Sequence, residues 1–374
     1  MNSVSSQRLT SNEFMTAEQQ RLIANAETDV PLEKWGPYLS ERQWGTVRED
    51  YSENGDAWNY FPFSQADKRA YHWGEDGLGG ISDMFQNLCF CVALWNGKDD
   101  ILKERLFGLG NYQGNHGEDV KELYYYLDNV PSHYYMHYLY KYPQQKFPYE
   151  QLVEENKKRS ALESEFEILD TGIFNNDEYF DVNIIYAKYG KNDIGIKIDI
   201  TNRASKTSSL KVLPTLWFYN RWQSDDVPKP RLSEIDKNSV IASHTRLGDY
   251  YFYFPDTQER LYTDNETNFT GITQQMDENI FTKDAIQKAV IHKENTEALK
   301  ARKQGTKFSP VYDLSIKAGA TKTLYLRLSK EKIEEPFQQG FEYIFQLRKY
   351  EADEFYNAII PQHLSNDIKN IQRQ

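Results

Sequence analysis

The run Asp193-Ile-Gly-Ile-Lys-Ile-Asp-Ile-Thr-Asn-Arg203 places Ile194, Ile196, Ile198 and Ile200 on one side of an extended chain. Gly195, Lys197 and Asp199 fall on the other. Side chains alternate across a strand with period two, so this is a half-buried antiparallel strand with one oily and one wet face. The same signature continues on both sides. Residues 122–142, ELYYYLDNVPSHYYMHYLYKY, read as two strands about a turn at Asp128–Ser132, with Tyr134, Met136, Tyr138, Tyr140 and Tyr142 sharing a face. LKVLPTLWFYNRW, YYFYF and TKTLYLRLS add further strands, the last with Leu324, Leu326 and Leu328 in phase. Many strand-like runs with few helical patterns between them predict a mainly β protein, a large antiparallel β-sandwich.

Helical patterns lie at the ends. Residues 13–28 predict an N-terminal helical arm with Thr16 as a cap, and 148–164 a charged helix. A C-terminal amphipathic linker helix is expected from Pro336 to Pro361, with Phe337, Phe341, Ile344, Phe345, Phe355 and Ile359 near one stripe. QHLSNDIKNIQRQ then resumes a helical pattern. The expected domains are the arm at 1–34, the sandwich at 35–335 and the helical linker at 336–374. Residues 259–310 read as loops plus a short helix near Ala285–Ala289.

Composition narrows the function. In 374 residues there are 44 basic and 56 acidic side chains, a net charge of −12, and no sustained basic block. A nucleic-acid partner needs a Lys/Arg stripe, so none is expected. No stretch of about 18 apolar residues occurs and the first residues lack a secretory pattern, so no membrane contact and a cytoplasmic location are expected. The only two cysteines, Cys89 and Cys91, sit two apart in LCFCVALW and read as small buried hydrophobes. His133 and His137 lie four apart among tyrosines and read as hydrogen-bonded structure. No metal and no cofactor is expected, since neither a ligand cluster nor a Gly-rich phosphate loop is present.

Carboxylates beside glycine and aromatics recur early: Arg48-Glu49-Asp50 after Trp44-Gly45, Trp73-Gly74-Glu75-Asp76-Gly77, and Asn115-His116-Gly117-Glu118-Asp119. Such groups suit a sugar, whose hydroxyls donate to carboxylates while its C–H face lies on a ring. Glycoside hydrolysis needs two carboxyls, about 5–5.5 Å apart for retention or 6.5–9.5 Å for inversion. The other reading of these pairs is turns and ion pairs that lock strand ends. Trp217, Arg221 and Trp222 follow a strand and could edge a groove, with at least one tryptophan in the core.

WGPYLSERQWGTVREDYSENGDAW (35–58), YHWGEDGLGGISD (71–83), LWNGKDDILKERLFGLGNYQGNHGEDVKE (94–122), YYYLDNVPSHYYMHYLYKYPQ (124–144) and VLPTLWFYNRW (212–222) together resemble the N-terminal part of bacterial glucosidases similar to glycoside hydrolase family 63. That family includes processing glucosidase I and mannosylglycerate-hydrolase-like enzymes, and the resemblance covers roughly residues 30–360. It implies an N-terminal β-sandwich followed by an (α/α) barrel that carries the acid and base and hydrolyses α-glycosidic bonds with inversion. Those two catalytic residues have no counterpart positions here, so no catalytic residue is assigned. The function implied is a non-catalytic domain that packs against the barrel, on the same or a separate chain, and shapes a cleft for an oligosaccharide or glucoside. Trp73, Glu75, Asp76, Asn115, His116, Glu118 and Asp119 are the expected substrate-binding or interface residues. Phe341, Phe345 and Phe355 are the expected exposed docking surface for the barrel. Two alternatives remain: an independent carbohydrate-binding module with a solvent-facing Trp/Tyr shelf, and a self-sufficient glycoside hydrolase using acidic pairs in the 44–122 region.

Overall fold

A computed structural model describes residues 15–28, 34–38, 62–70, 77–110, 112–114, 119–223, 226–273 and 279–374. Its strands, in chain order, are β1 (Trp35–Tyr38), β2 (Leu78–Asp83), β3 (Leu88–Trp95), β4 (Gly108–Leu109), β5 (Asp119–Val120) and β6 (Tyr124–Asn129). Next come β7 (Tyr135–Pro143), β8 (Tyr179–Gly190), β9 (Asp193–Asn202), β10 (Ser208–Phe218), β11 (Arg231–Asp236) and β12 (Ser239–His244). The last are β13 (Gly248–Tyr253), β14 (Glu259–Thr263), β15 (Gln304–Gly305), β16 (Lys307–Ile316) and β17 (Thr321–Ser329). They form a six-stranded sheet, β1-β2-β3-β10-β16-β14, and a nine-stranded sheet, β15-β11-β12-β13-β17-β9-β8-β7-β6. The pair β4-β5 stands apart. The predicted antiparallel sandwich is the fold.

The isoleucines of β9 lie at its centre, all four fully buried. Register carries the oily row from strand to strand: Tyr138 pairs with Ile184, Ile184 with Ile198, and Ile198 with Leu324. A neighbouring row runs Met136, Tyr186, Ile196, Leu326. A slip of one residue would turn every one of these side chains to the wrong face, so burial at about 1.5–3 kcal/mol per large side chain also holds the register. The facing sheet supplies Phe90, whose ring centroid lies 6.1 Å from Tyr186 and 5.7 Å from Phe252. Gly79 permits a close approach between the sheets. A Cβ there would come within 2.9 Å of both Ile184 and Tyr138, and its carbonyl accepts the buried Tyr186 hydroxyl at 2.6 Å.

The arm is the helix Ala17–Thr28. The Thr16 hydroxyl accepts from the Gln19 amide at 3.3 Å, and the Gln19 side chain accepts from the Thr16 amide at 2.9 Å, a reciprocal cap. Buried Glu18 holds the arm down by accepting from the Ser132 amide and hydroxyl, both at 2.7 Å. The charged helix is Tyr149–Lys157, shorter than its sequence pattern.

Three expectations change. First, residues 259–310 are not mainly loops, because β14 and the start of β16 complete the six-stranded sheet. Their alternation is disguised: the outward residues Lys307 and Ser309 are polar yet buried. Second, the C-terminal helix is Tyr343–Ile359 and does not begin at Pro336, since Gly340 takes a φ of +86° in the turns before it. Third, Phe341, Phe345 and Phe355 are not an exposed docking surface; they are 4%, 6% and 7% exposed. Phe341 and Phe345 pack on Ala187, Tyr189 and Tyr325, in the gap left by Gly195 on the outer face of the nine-stranded sheet. Phe355 joins Tyr134, Tyr135 and Tyr356 beside Leu22 of the arm. The sandwich itself covers the stripe.

Phe345→Ala is expected to cost about 3–5 kcal/mol of stability as a buried aromatic truncation. Leu162→Ala, at a side chain 98% exposed, should stay within about 0.5 kcal/mol. Urea denaturation of both variants checks the contrast, and equal midpoints would show that the helix does not pack as described.

Candidate functional site

Of the residues expected to meet substrate or a partner domain, Trp73, Glu75, Asp76, Asn115, His116 and Glu118 lie outside the described residues, as do Trp44 to Asp50. Asp119 is placed by its backbone alone, opening β5 opposite Leu109. The ends of the 71–76 segment are both described. On one side the Ala70 amide donates to the Thr267 hydroxyl at 3.0 Å. On the other, Gly77 adopts a φ of +91° against β3, where any Cβ would overlap Cys91.

Cys91 points to the outer face of the six-stranded sheet, and this face carries the candidate site. Beside it lie Cys89 and Trp217, both buried. The cysteines therefore act as the small hydrophobes expected, and Trp217 is the core tryptophan. The Thr215 and Ser309 hydroxyls pair at 2.8 Å. Next along β16, Lys307 donates to a Glu104 carboxylate oxygen at 2.8 Å, with both side chains almost wholly buried. Lys283 stands 4.0 Å from the other Glu104 oxygen and donates to the carbonyls of Ala66 at 2.6 Å and Arg69 at 3.0 Å. One buried carboxylate thus draws two ammonium groups, and the second of these fastens the 62–70 segment to the sheet. A hollow of about 120 Å³ lies there, lined by Phe63, Asp67, Glu104, Arg105 and Gln287 among others.

A second charged group lies inside the aromatic end of the sandwich. Lys103 donates to Glu122 at 2.5 Å, with the two side chains 0% and 1% exposed. Glu122 also accepts from the Tyr140 hydroxyl at 2.7 Å and the Phe107 amide at 3.0 Å. The Lys103 ammonium sits 4.0 Å from the Phe147 ring centre. Burial raises the Glu122 carboxyl above its ordinary range, against the downward pull of Lys103. Burial raises Asp99 too, against Lys103 and the Tyr149 hydroxyl, which donates to it at 3.0 Å. Two carboxyls shifted upward would suit general acid work by that shift alone. Both Glu122 oxygens, however, are taken by Lys103, the Phe107 amide and Tyr140. Asp99 is held through Oδ2 by the Tyr142 and Tyr149 hydroxyls, while its Oδ1 is buried without a partner among the described residues, so the group packs as a structural plug. Sequence reading passed over Lys103, Glu104, Glu122 and Lys307 because no spacing rule links residues so far apart. The one available signal was charge inside otherwise strand-like runs.

The histidine pair separates. His133 lies in a turn with a φ of +54°, while His137 on β7 bonds Asn183 Oδ1 at 2.8 Å through Nε2. Trp222 and Arg221 line a narrow cleft with Tyr219, Pro228 and His244, as the groove reading expected, and the Trp222 indole donates to Glu266 at 2.8 Å. Among the described residues, no three His, Cys, Asp or Glu side chains are grouped to hold a metal ion, and no helix is long and apolar enough to cross a membrane.

No family model matches the chain. The uncharacterized protein YMR196W of Saccharomyces cerevisiae is 40% identical over 406 aligned residues, covering 96% of this chain and 37% of that protein. The chain therefore spans a little over a third of the length of that relative. Among solved structures, a putative kojibiose phosphorylase from the human microbiome is 10% identical with a TM-score of 0.24, over 52% of this chain and 20% of its own. A polysaccharide lyase is 11% identical with a TM-score of 0.29, over 69% of this chain and 28% of its own. Similarity that low establishes neither a shared fold nor a shared activity.

Two outcomes follow from the buried charges. Lys103→Met and Glu122→Gln should each destabilise by about 3–5 kcal/mol, because each strands the other partner. The double variant should cost clearly less than the sum, and additivity in denaturant titrations would contradict the pairing. For His137, burial lowers the pKa, so the folded ring stays neutral where the unfolded ring already binds a proton. Its contribution to stability is present above about pH 6.5 and is lost as pH falls through the folded midpoint. Ring-proton NMR should give a midpoint below about 6.5; one above that value would refute the burial.

Proposed function

We propose that this chain is a non-catalytic β-sandwich domain of a family-63-like α-glucosidase. In this reading it packs against a catalytic (α/α) barrel and forms one wall of the sugar cleft. The observation that carries the reading is the extent of the match to the yeast protein: nearly the whole chain aligns at 40% identity with only 37% of a longer polypeptide. A sandwich closed around its own core, within a longer protein, is the form expected of a domain that supports another. The outer face of the six-stranded sheet is the proposed side of contact, because Lys283 and Gly77 anchor there the ends of segments rich in carboxylates and aromatics. Trp73, Glu75, Asp76, Asn115, His116, Glu118 and Asp119 are then proposed to touch sugar or barrel through polar contacts and ring stacking, without serving as acid or base.

The role can be tested by comparing two proteins. The purified chain should turn over no α-glucoside, whereas the full-length yeast relative should hydrolyse one. In that longer protein, changes at the positions aligned with Trp73 (to Ala) or Asp119 (to Asn) should raise KM roughly tenfold, the effect of losing about 1.4 kcal/mol of sugar contact, with kcat little altered. Turnover by the chain alone, abolished by Glu75→Gln or Asp119→Asn, would overturn the proposal.

A further inference from the structure

A second concave site lies on the other sheet. After β17 the chain turns across the outer face of the nine-stranded sheet as a strap, residues 330–337. The Ile333 amide donates to the Tyr253 hydroxyl at 2.6 Å, and Arg327, held by both oxygens of Asp193 at 2.8 and 2.6 Å, donates to the Pro336 carbonyl at 3.0 Å. Opposite the strap stands the turn between β11 and β12. There the Asn238 amide donates to Asp236 at 2.8 Å and the Asn238 side chain to the Phe254 carbonyl at 3.1 Å. Strap and turn enclose a cavity of about 710 Å³, open to solvent on one side. Both walls are tied to the sheet by hydrogen bonds, so the hollow exists before any ligand arrives.

Its lining is specific in character. Tyr251 and Tyr253 alternate on β13 with ring centres 6.5 Å apart and planes only 18° from parallel. Phe337 and Ile235, 37% and 39% exposed, add apolar surface at the rim. The charged lining residues balance, Asp236 and Glu334 against Lys237 and Lys332. Among the described residues neither Glu334 nor Lys332 has an ion-pair partner, which leaves an acceptor and a donor at the mouth. A strongly anionic or cationic ligand gains nothing from such a balance. A neutral molecule with apolar faces and many hydroxyls matches it, and the volume falls in the ordinary range for small-ligand sites of about 300–1,000 Å³.

We propose that this cavity binds a short neutral oligosaccharide, at a site separate from the cleft proposed above. The choice of a glucan as the probe rests on the α-glucoside reading; the cavity and its charge balance do not. Maltotetraose titrated into the purified chain and followed by NMR should bind saturably, with Kd on the order of 1 mM or below. Tyr251→Ala and Phe337→Ala should each weaken binding at least tenfold while leaving the melting temperature close to that of the parent. Phe337, on the strap, carries the test should the Tyr251 variant fail to fold. Trp222→Ala, in the narrow cleft, should bind as the parent does. Absence of saturation, equal affinity in the Phe337 variant, or tighter binding of a sulfated tetrasaccharide would each overturn the proposal. Hydrolysis by the longer relative bears on the domain reading alone, so the two proposals fail separately.

Discussion

Everything else in this structure is arranged around one packed layer: the isoleucine face of β9, set between the inward rows of β8 and β17 and packed against the aliphatic and aromatic side chains of the opposite sheet. Because side chains alternate, burying that face commits the residues between to the outside of the sandwich. A large sandwich therefore has two outer faces to complete, and this protein completes them differently. On the nine-stranded sheet, Gly195 leaves a hollow that phenylalanines before and within the C-terminal helix fill. On the six-stranded sheet, short helices cover the apolar part, with Ala285, Ile286, Ala289 and Leu299 lying over Ala93, Leu213 and Val311.

The remainder of that second face is polar and yet shielded from water. Taking a carboxylate or ammonium group out of water costs several kcal/mol unless it is paired and its hydrogen bonds are met. Glu104 with Lys307 meets that condition on this face through a contact of 2.8 Å, as Glu122 with Lys103 does at 2.5 Å inside the aromatic end of the sandwich. Such pairs contribute little net stability compared with well-packed apolar groups, but they penalise any arrangement that separates them. Here they fix where the segments at 62–70 and 101–107 lie relative to the sheet, and those segments lead toward the stretches richest in carboxylates and tryptophan. The buried charge gives position; the oily layer gives stability.

This division explains what could be read from sequence. The strands β6, β7, β9 and β17 announce themselves because one face is apolar and the other wet, so period two is visible. The cap at Thr16 was equally plain. β14 and the first half of β16 were hidden because both of their faces are buried there. The outer one is covered partly by paired polar groups and partly by the short helices over Leu261 and Val311, which erases the alternation. The aromatic stripe of the C-terminal helix was recognised as apolar, but no periodicity says whether an apolar stripe meets its own sheet or another domain; Gly195 decided it. The ion pairs at Lys103 and Lys307 depend on residues 19 and 203 positions away, beyond the reach of any local pattern. Of the seven expected site residues only Asp119 falls within the described part of the chain, as backbone, so the candidate site was legible as chemistry and not as geometry.

The central claim, that this sandwich serves as one wall of a larger sugar-cleaving unit, is tested most directly by mixing. The purified chain and the separately produced remainder of the yeast relative, the part outside its 37% match, can be followed together by sedimentation velocity. The account predicts a one-to-one complex that weakens when Glu104 is changed to Ala in the chain. Independent sedimentation of the two at every concentration tried would contradict it.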